Sequence, residues 1–270
     1  MGSGICCGRQ ERVQQPSDAV KCASLTATPA FGKPSASELD QLKAYLDTHR
    51  ETLPRKTISL FSAVLDNSHR EHQEVSIRLV SLGAAGARSL ALLLPYYSHI
   101  VSLKLWKTKL GAEGVAVLAE HLPKLTELVT LSLEDNAMAY GGAAAIAQAL
   151  PSMVRLQEIW LPVNAINAKA AIALAQALRP LHCLATLNLD ENSIEAEGLG
   201  AVLSSLSHLT ALKSLSVAHN NITSACTSFL LDFIKTCAVP FTLNLAGNRI
   251  SSEDQDTLAH SASHVLIKAN

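Results

Sequence analysis

The sequence has almost no net charge, few aromatic residues and no long apolar run. Its 22 lysine and arginine residues nearly balance 23 aspartate and glutamate residues, and aromatic residues make up 4% of the chain. Because no basic run or aromatic-interleaved patch occurs, we expect no nucleic-acid partner. Arg88 interrupts the best candidate for an apolar stretch of about 18 residues, which argues against a transmembrane helix. The N-terminus lacks the charged start and apolar core of a secretory signal, so we predict a cytosolic protein.

Catalytic and cofactor-binding motifs are missing as well. There is no serine elbow, Walker loop or dinucleotide fingerprint, and Gly32-Lys33-Pro34-Ser35 lacks the upstream glycine and the helix of a phosphate loop. The pairs His69-xx-His72 and His260-xxx-His264 have no nearby cysteine ligands in an accepted zinc pattern, so we prefer to interpret them as solvated cap or edge residues. We therefore predict that the protein is not an enzyme and uses no metal, cofactor or small-molecule substrate.

What the sequence does contain is one apolar template that recurs seven times with a period of 28 residues. Each copy begins with apolar/polar alternation typical of a short strand and continues with apolar or small residues at helical spacing. The first apolar column is Val75, Leu103, Leu131, Ile159, Leu187, Leu215 and Leu243. A polar column follows at Val80, Thr108, Asn136, Asn164, Asn192, Asn220 and Asn248. A fixed period of this length predicts an α/β solenoid, in which each unit buries its apolar face against its neighbours.

Proline and small residues complete the template. Proline ends the helical part of several copies, and a column of small residues lets each helix pack closely: Gly86, Gly114, Gly142, Ala170 and Gly198. Because the small residues of Gly83-Ala84-Ala85-Gly86 recur for packing, they argue poorly for phosphate binding.

The segment Leu128-xx-Leu131-x-Leu133-xx-Asn136-x-Met138 resembles a leucine-rich repeat. The unit length and single helix resemble the ribonuclease-inhibitor-like subclass. The resemblance implies a curved horseshoe with parallel strands on its concave face, helices on its convex face, and asparagines that tie down the backbone after each strand. We expect Val265-x-Ile267-xx-Asn270 to repeat the strand signature 22 residues after Leu243, as an eighth, closing edge strand.

The chain before the repeats divides into two parts. Residues 1–36 are predicted to be a largely disordered tether, because they are poor in large apolar residues and contain Pro16, Pro29 and Pro34. Residues 37–71 contain two apolar helical patterns, and residues 72–270 hold the seven repeats and the closing strand. We expect the two helices to cap the first repeat. Membrane binding by an amphipathic helix is the alternative, which acidic Glu38 and Asp40 disfavour.

The N-terminal segment resembles a lipidation signal. Gly2 stands where myristoylation requires glycine, although Cys6 occupies the position that prefers serine or threonine. One myristoyl chain binds a bilayer only marginally, and palmitoylation of Cys6 and Cys7 would supply the second anchor. The alternative is a tail in which these residues have no role. The three cysteines within the repeats are predicted to be isolated, apolar-like thiols: Cys183, Cys226 and Cys237.

Strand alternation predicts which side chains point away from the core. Both tryptophans of the chain, Trp106 and Trp160, fall at outward positions, and tryptophan is enriched at binding hot spots. The charges near them lie on the second to fifth repeats. We predict a partner-binding patch formed by Lys104, Trp106, Lys107, Glu134, Asp135, Glu158, Trp160, Asp190 and Glu191. The alternative for any single charge is an ordinary solvated strand residue.

Together these features predict a monomeric, non-enzymatic interaction scaffold. It would be held at the cytosolic leaflet of a membrane by acylation, and it would bind a protein partner on the concave face. A second hypothesis is a regulator of a small GTPase, since Ran GTPase-activating proteins have similar repeats, but their acidic C-terminal tail is missing here. A fragment of an innate-immune receptor is disfavoured by the start methionine with its own lipidation signal.

Overall fold

The fold is a regular series of strand and helix units. A computed structural model describes residues 34–236, 240–261 and 265–269. In these residues eight strands form one sheet, in which all neighbours are parallel and follow chain order. The strands are β1 (Glu74–Arg78), β2 (Ser102–Trp106), β3 (Thr130–Ser132), β4 (Glu158–Trp160), β5 (Thr186–Asn188), β6 (Ser214–Ser216), β7 (Phe241–Asn244) and β8 (Val265–Lys268).

Helices alternate with these strands in a solenoid-like repeat arrangement. Two precede the sheet, α1 (Ala36–His49) and α2 (Arg55–Leu65). The others each follow a strand: α3 (Gly83–Leu93), α4 (Gly111–Ala119), α5 (Ala139–Ala149), α6 (Ala168–Leu178), α7 (Glu195–Leu206), α8 (Thr227–Thr236) and α9 (Ser252–Ser261). None of the described helices is long and apolar enough to cross a membrane.

Strand alternation separates the two faces of the sheet as predicted. Leu103, Leu131 and Ile159 pair in register across β2, β3 and β4 and are fully buried in one continuous apolar core. Their outward neighbours Ser132 and Trp160 are half-buried. We call the side that carries the outward residues the strand face. It is the side of the sheet on which side chains remain accessible to a partner.

Proline and glycine have the packing roles expected of them. Pro95, Pro123 and Pro151 lie in 3-10 turns that follow the ends of α3, α4 and α5. A Cβ atom on Gly142 would lie 2.7 Å from Cβ of Met138 and 3.2 Å from Cβ of Val115 on the preceding helix. These contacts leave no room for a side chain and favour the packing interpretation of the small-residue column.

Buried asparagines connect successive repeats just beyond the strands. Each side chain accepts a hydrogen bond from a backbone N–H of the preceding repeat and donates one to a backbone carbonyl of that repeat. The residues are Asn136, Asn164, Asn192 and Asn220. The side chain of Asn164, for example, accepts from the Asn136 N–H at 3.1 Å and donates to the Leu133 carbonyl at 2.8 Å. The asparagine column therefore has the structural role that the sequence predicts.

The residue before the asparagine position has left-handed backbone in one repeat after another. The φ angles are 51° at Lys107, 52° at Asp135, 54° at Val163, 52° at Glu191 and 53° at His219. This region is uncommon for residues other than glycine and most strained for a β-branched one. Three predicted binding residues, Lys107, Asp135 and Glu191, therefore lie beyond the ends of their strands, at positions with left-handed backbone.

The two N-terminal helices contribute to the same core as the repeats. Ser35 caps α1 in a capping box with Glu38. The inward residues Leu42 of α1 and Phe61 of α2 are buried in the core cluster. Tyr45 of α1 makes a hydrogen bond of 2.8 Å to Ser89 of α3. The apolar sides of both helices therefore face the interior of the protein.

The eighth strand is present at the edge of the sheet, but its register differs from the prediction. The sequence pattern aligned Val265 with Leu243, whereas β7 and β8 pair Phe241 with Val265 and Leu243 with Ile267. A shift of two residues keeps each side chain on the same face, so the apolar pattern alone does not distinguish the two registers. The pairing that forms places Val265 beside the buried Phe241.

Candidate functional site

A depression of about 500 Å³ lies on the strand face across the first four strands. Its lining residues are Arg78, Lys104, Trp106, Thr130, Ser132, Glu134, Glu158 and Trp160. Five of the nine predicted binding residues are among them. The patch predicted from the sequence spans the second to fifth repeats, and the depression covers its N-terminal part.

The depression exists because a short side chain lies between long ones. Ser132 of β3 pairs in register with Lys104 on one side and with Trp160 on the other. Trp106 ends β2, one position further along the strand face. Ser132 therefore lies on the strand between the two tryptophans, which stand two strands, or about 10 Å, apart. We call Ser132 and Thr130, the hydroxyl residues of β3 that line the depression, its floor.

Both tryptophans are half-buried, and neither belongs to the buried core. The indole Nε1 of Trp160 donates to Oε2 of Glu158 at 3.4 Å, and the Thr130 hydroxyl donates to the same carboxylate oxygen at 3.3 Å. These contacts orient Glu158 and Trp160 together at one end of the depression. The projection of both indoles from the sheet agrees with the alternation in the sequence.

The lysines near the depression are already paired with carboxylates. Nζ of Lys104 lies 2.8 Å from Oε2 of Glu74 on the neighbouring strand, and this hydrogen bond is the main cause of the lowered pKa of Glu74. Nζ of Lys107 lies 3.5 Å from Oδ2 of Asp135. Lys107 and Asp135 neutralise each other in the turns after β2 and β3, outside the lining of the depression.

The acidic residues of the depression lack such partners. Neither Glu134 nor Glu158 forms an ion pair within the described part of the chain. Burial raises the pKa of Glu134, and the negative charges of Asp135 and Glu191 raise it further. The depression therefore contains two carboxylates that are not paired with a cation in the described part of the chain.

The remaining two predicted residues lie on the fifth repeat, away from the depression. Asp190 accepts hydrogen bonds from the Ser216 hydroxyl at 2.6 Å and from the Ala218 N–H at 2.7 Å, so it joins the fifth repeat to the sixth. Glu191 is exposed in a turn with left-handed backbone. Their acidic character was visible in the sequence, whereas the internal use of Asp190 was not.

Sequence reasoning missed Arg78, Thr130 and Ser132 as lining residues. A signal was available, because each occupies an outward strand position in the same column as a predicted residue on a neighbouring strand. Ser132 in particular carries no distinctive chemistry. Its contribution is its small size between two large neighbours.

The cysteine predictions have a mixed outcome. Cys226 is a buried free thiol, and burial raises its pKa to about 11, as an apolar-like thiol requires. Cys183 is half-buried and in a disulfide, so the prediction of an isolated thiol is wrong at that position. Cys237 lies outside the described residues, as do the predicted lipidation residues Gly2, Cys6 and Cys7.

Histidines cluster near the start of the sheet without forming a metal site in the described part of the chain. His69 is buried, so the prediction of a solvated residue is wrong at that position; its Nδ1 lies 3.2 Å from the Ala63 carbonyl. Its ring and that of His72 pack around Tyr97, with centroids 5.7 Å and 6.2 Å from the tyrosine ring. Desolvation lowers the pKa of His69, so the neutral imidazole is the form that the fold favours. His264 lies outside the described residues.

Comparison with known proteins gives structural likenesses and no functional assignment. No protein-family model matches the chain, and no curated protein matches it. A crystal structure of a Bacteroides fragilis protein from the Northeast Structural Genomics Consortium is similar, with a TM-score of 0.45 and 12% sequence identity. The match covers 77% of this chain and 68% of that chain. At this identity and score the likeness says nothing about function.

Proposed function

We propose that the chain is a leucine-rich-repeat adaptor that binds a protein partner in the strand-face depression. The repeat spacing, the parallel strands and the asparagine hydrogen bonds between repeats support membership of the leucine-rich-repeat class. In that class the strand face is the concave inner surface. The adaptor is a scaffold and performs no chemistry itself.

The observation that carries the proposal is the position of Trp106 and Trp160. The chain has only two tryptophans, and both line one depression with Ser132 between them. The stability of the fold gains little from two half-exposed indoles, because burying them would stabilise the core more. Half-exposed indoles that lie close together are typical of the centre of a protein interface.

The second half of the proposal is attachment to the cytosolic leaflet of a membrane. It rests on Gly2, a candidate for myristoylation, with Cys6 and Cys7, two candidates for palmitoylation in the same short segment. Tethering would confine the depression to a surface and raise the local concentration of a membrane-bound partner. Metabolic labelling with a myristate analogue tests this half, and we expect label that is lost in Gly2→Ala.

Proximity labelling in cells tests the partner-binding half. We expect a set of neighbours that is recovered by the wild type and lost by the Trp106→Ala/Trp160→Ala variant. Tyr140→Ala/Phe229→Ala is the matched control, because these aromatic side chains are about half-exposed on α5 and α8, away from the depression. The control should retain the neighbours.

Two outcomes would contradict the proposal. If the tryptophan variant and the wild type recover the same neighbours, the depression does not bind the partner. If the chain stimulates GTP hydrolysis by a small GTPase in a purified assay, it is a regulator of that enzyme and not an adaptor. A Gly2→Ala variant with unchanged neighbours would remove the role of acylation while leaving partner binding intact.

A further inference from the structure

We infer that the depression binds a basic side chain, arginine or lysine, that the partner inserts between Trp106 and Trp160. This inference rests on the proposed function, since it names the chemistry of the partner at that site. Indole faces and carboxylates both attract a guanidinium or ammonium group. The depression combines both, with Glu134 and Glu158 in its lining.

The lysines close to the depression are already paired with carboxylates. Lys104 is paired with Glu74 at 2.8 Å, and Lys107 is paired with Asp135 at 3.5 Å. Arg78 is exposed at the first strand, where its Nε donates to the Ser76 hydroxyl at 3.1 Å. The cations closest to the floor are therefore neutralised, and Arg78 is left at the N-terminal margin.

The two carboxylates that line the depression have no cationic partner among the described residues. Glu158 receives hydrogen bonds only from neutral donors, the Thr130 hydroxyl and the Trp160 indole, among the described residues. Glu134 forms no ion pair in the described part of the chain; burial is the main cause of its raised pKa, and the charges of Asp135 and Glu191 add to it. A positive group in the depression would compensate these two unpaired carboxylates. An acidic side chain would add to their negative charge, and an apolar one would bury a carboxylate without a partner.

The shape of the depression suits one long side chain. The tryptophans stand about 10 Å apart across the sheet, which leaves room for one extended side chain over the small Ser132. Arginine and lysine have long apolar stems that pack on aromatic faces while the charged head reaches a carboxylate. Charge and shape therefore favour the same occupant.

The test measures binding of defined peptides to the full chain. Because both tryptophans line the depression, their intrinsic fluorescence reports on this site alone. The probes are tryptophan-free peptides with identical small flanking residues and a central arginine, lysine, glutamine or glutamate. We expect the basic peptides to bind roughly tenfold tighter than the glutamine peptide, because only a positive head is attracted both by the indole faces and by the two carboxylates.

Three variants separate charge from shape. Glu134→Gln/Glu158→Gln should weaken binding of the arginine peptide about tenfold, with little remaining dependence on salt. Arg78→Gln is the opposite perturbation: it removes a positive charge from the same depression and should increase the affinity for the arginine peptide. Ser132→Leu should abolish binding of every peptide, because it fills the floor.

The inference is overturned if the wild type prefers the glutamate or glutamine peptide, or binds none of the set. It is also overturned if the double glutamine variant binds the arginine peptide as tightly as the wild type does. Proximity labelling separates this failure from failure of the proposed function. Neighbours that require Trp106 and Trp160 but not Glu134 and Glu158 would leave the adaptor standing and exclude the basic side chain.

Discussion

Replacement of Asn164 by alanine is expected to destabilise the fold by about 3 to 4 kcal/mol. The Asn164 side chain is fully buried. It accepts a hydrogen bond from the Asn136 N–H at 3.1 Å and donates to the carbonyls of Leu133 at 2.8 Å and Pro162 at 2.9 Å. The Pro162 carbonyl also accepts from the Asp135 N–H and keeps that partner. The loss therefore comes mainly from the Asn136 N–H and the Leu133 carbonyl.

The magnitude follows from what each group loses. A made hydrogen bond contributes about 1 kcal/mol, whereas a buried polar group left without a partner costs about 1 to 3 kcal/mol. Two such backbone groups remain after the substitution, partly relieved by relaxation around the smaller side chain. Since each repeat contacts mainly its neighbours, damage at the fourth repeat weakens the connection between the two halves of the solenoid.

Urea unfolding followed by far-ultraviolet circular dichroism measures this effect. Asn167→Ala is the matched control, because Asn167 is exposed and only caps α6 by accepting from the Ala170 N–H at 2.9 Å. Loss of such a cap costs about 1 kcal/mol. Equal destabilisation by the two substitutions would refute the structural role of the asparagine column. A two-step transition in Asn164→Ala would show that the halves unfold separately.

Three further predictions concern backbone strain and titration. Val163→Asn should stabilise the fold by about 1 kcal/mol, because asparagine tolerates the φ of 54° better than valine does. The control in the same urea assay is Val154→Asn, since Val154 is also exposed and lacks a positive φ. Because the pKa of His69 is lowered, the neutral imidazole stabilises the fold above the ordinary pKa of 6.5, and this stabilisation is lost as the pH falls below that value. His69→Gln should therefore flatten the decline in unfolding free energy between about pH 7 and about pH 5. An unchanged decline would contradict this. Because the pKa of Glu134 is raised, the free energy of unfolding falls as the pH rises above the ordinary pKa of 4.5. Glu134→Gln should therefore raise the thermal midpoint slightly at neutral pH, by the equivalent of about 0.5 kcal/mol. A lower midpoint would show that the carboxylate stabilises the fold.

The repeat architecture was predictable because its signals are local. Alternation places Leu131 inside and Ser132 outside without knowledge of any other strand. The constant spacing then predicts the register, and the asparagine hydrogen bonds do span 28 residues. Where the spacing changes, before β8, the same reasoning misplaced the register by two residues, because both alignments put apolar side chains inside.

The candidate site was predicted only in part, because its shape and charge depend on pairs of strands. Outward position identified Trp106 and Trp160, but nothing in their own segments shows that Ser132 leaves a depression between them. Likewise, Lys104 looks like a free cation in the sequence and is neutralised by Glu74 on the neighbouring strand. Asp190 looks free and is bound by Ser216 in the next repeat.

By itself the sequence determined the unit, its number of copies and the face on which each strand residue lies. These follow from two periods, about 2.0 for a strand and about 3.6 for a helix, which depend only on local backbone geometry. Only the tertiary structure decided which outward charges remain unpaired and where a partner has room to enter. The electrostatic state of side chains such as Glu134 and Lys104 depends on residues of other repeats. Only the folded sheet brings those residues close enough to interact.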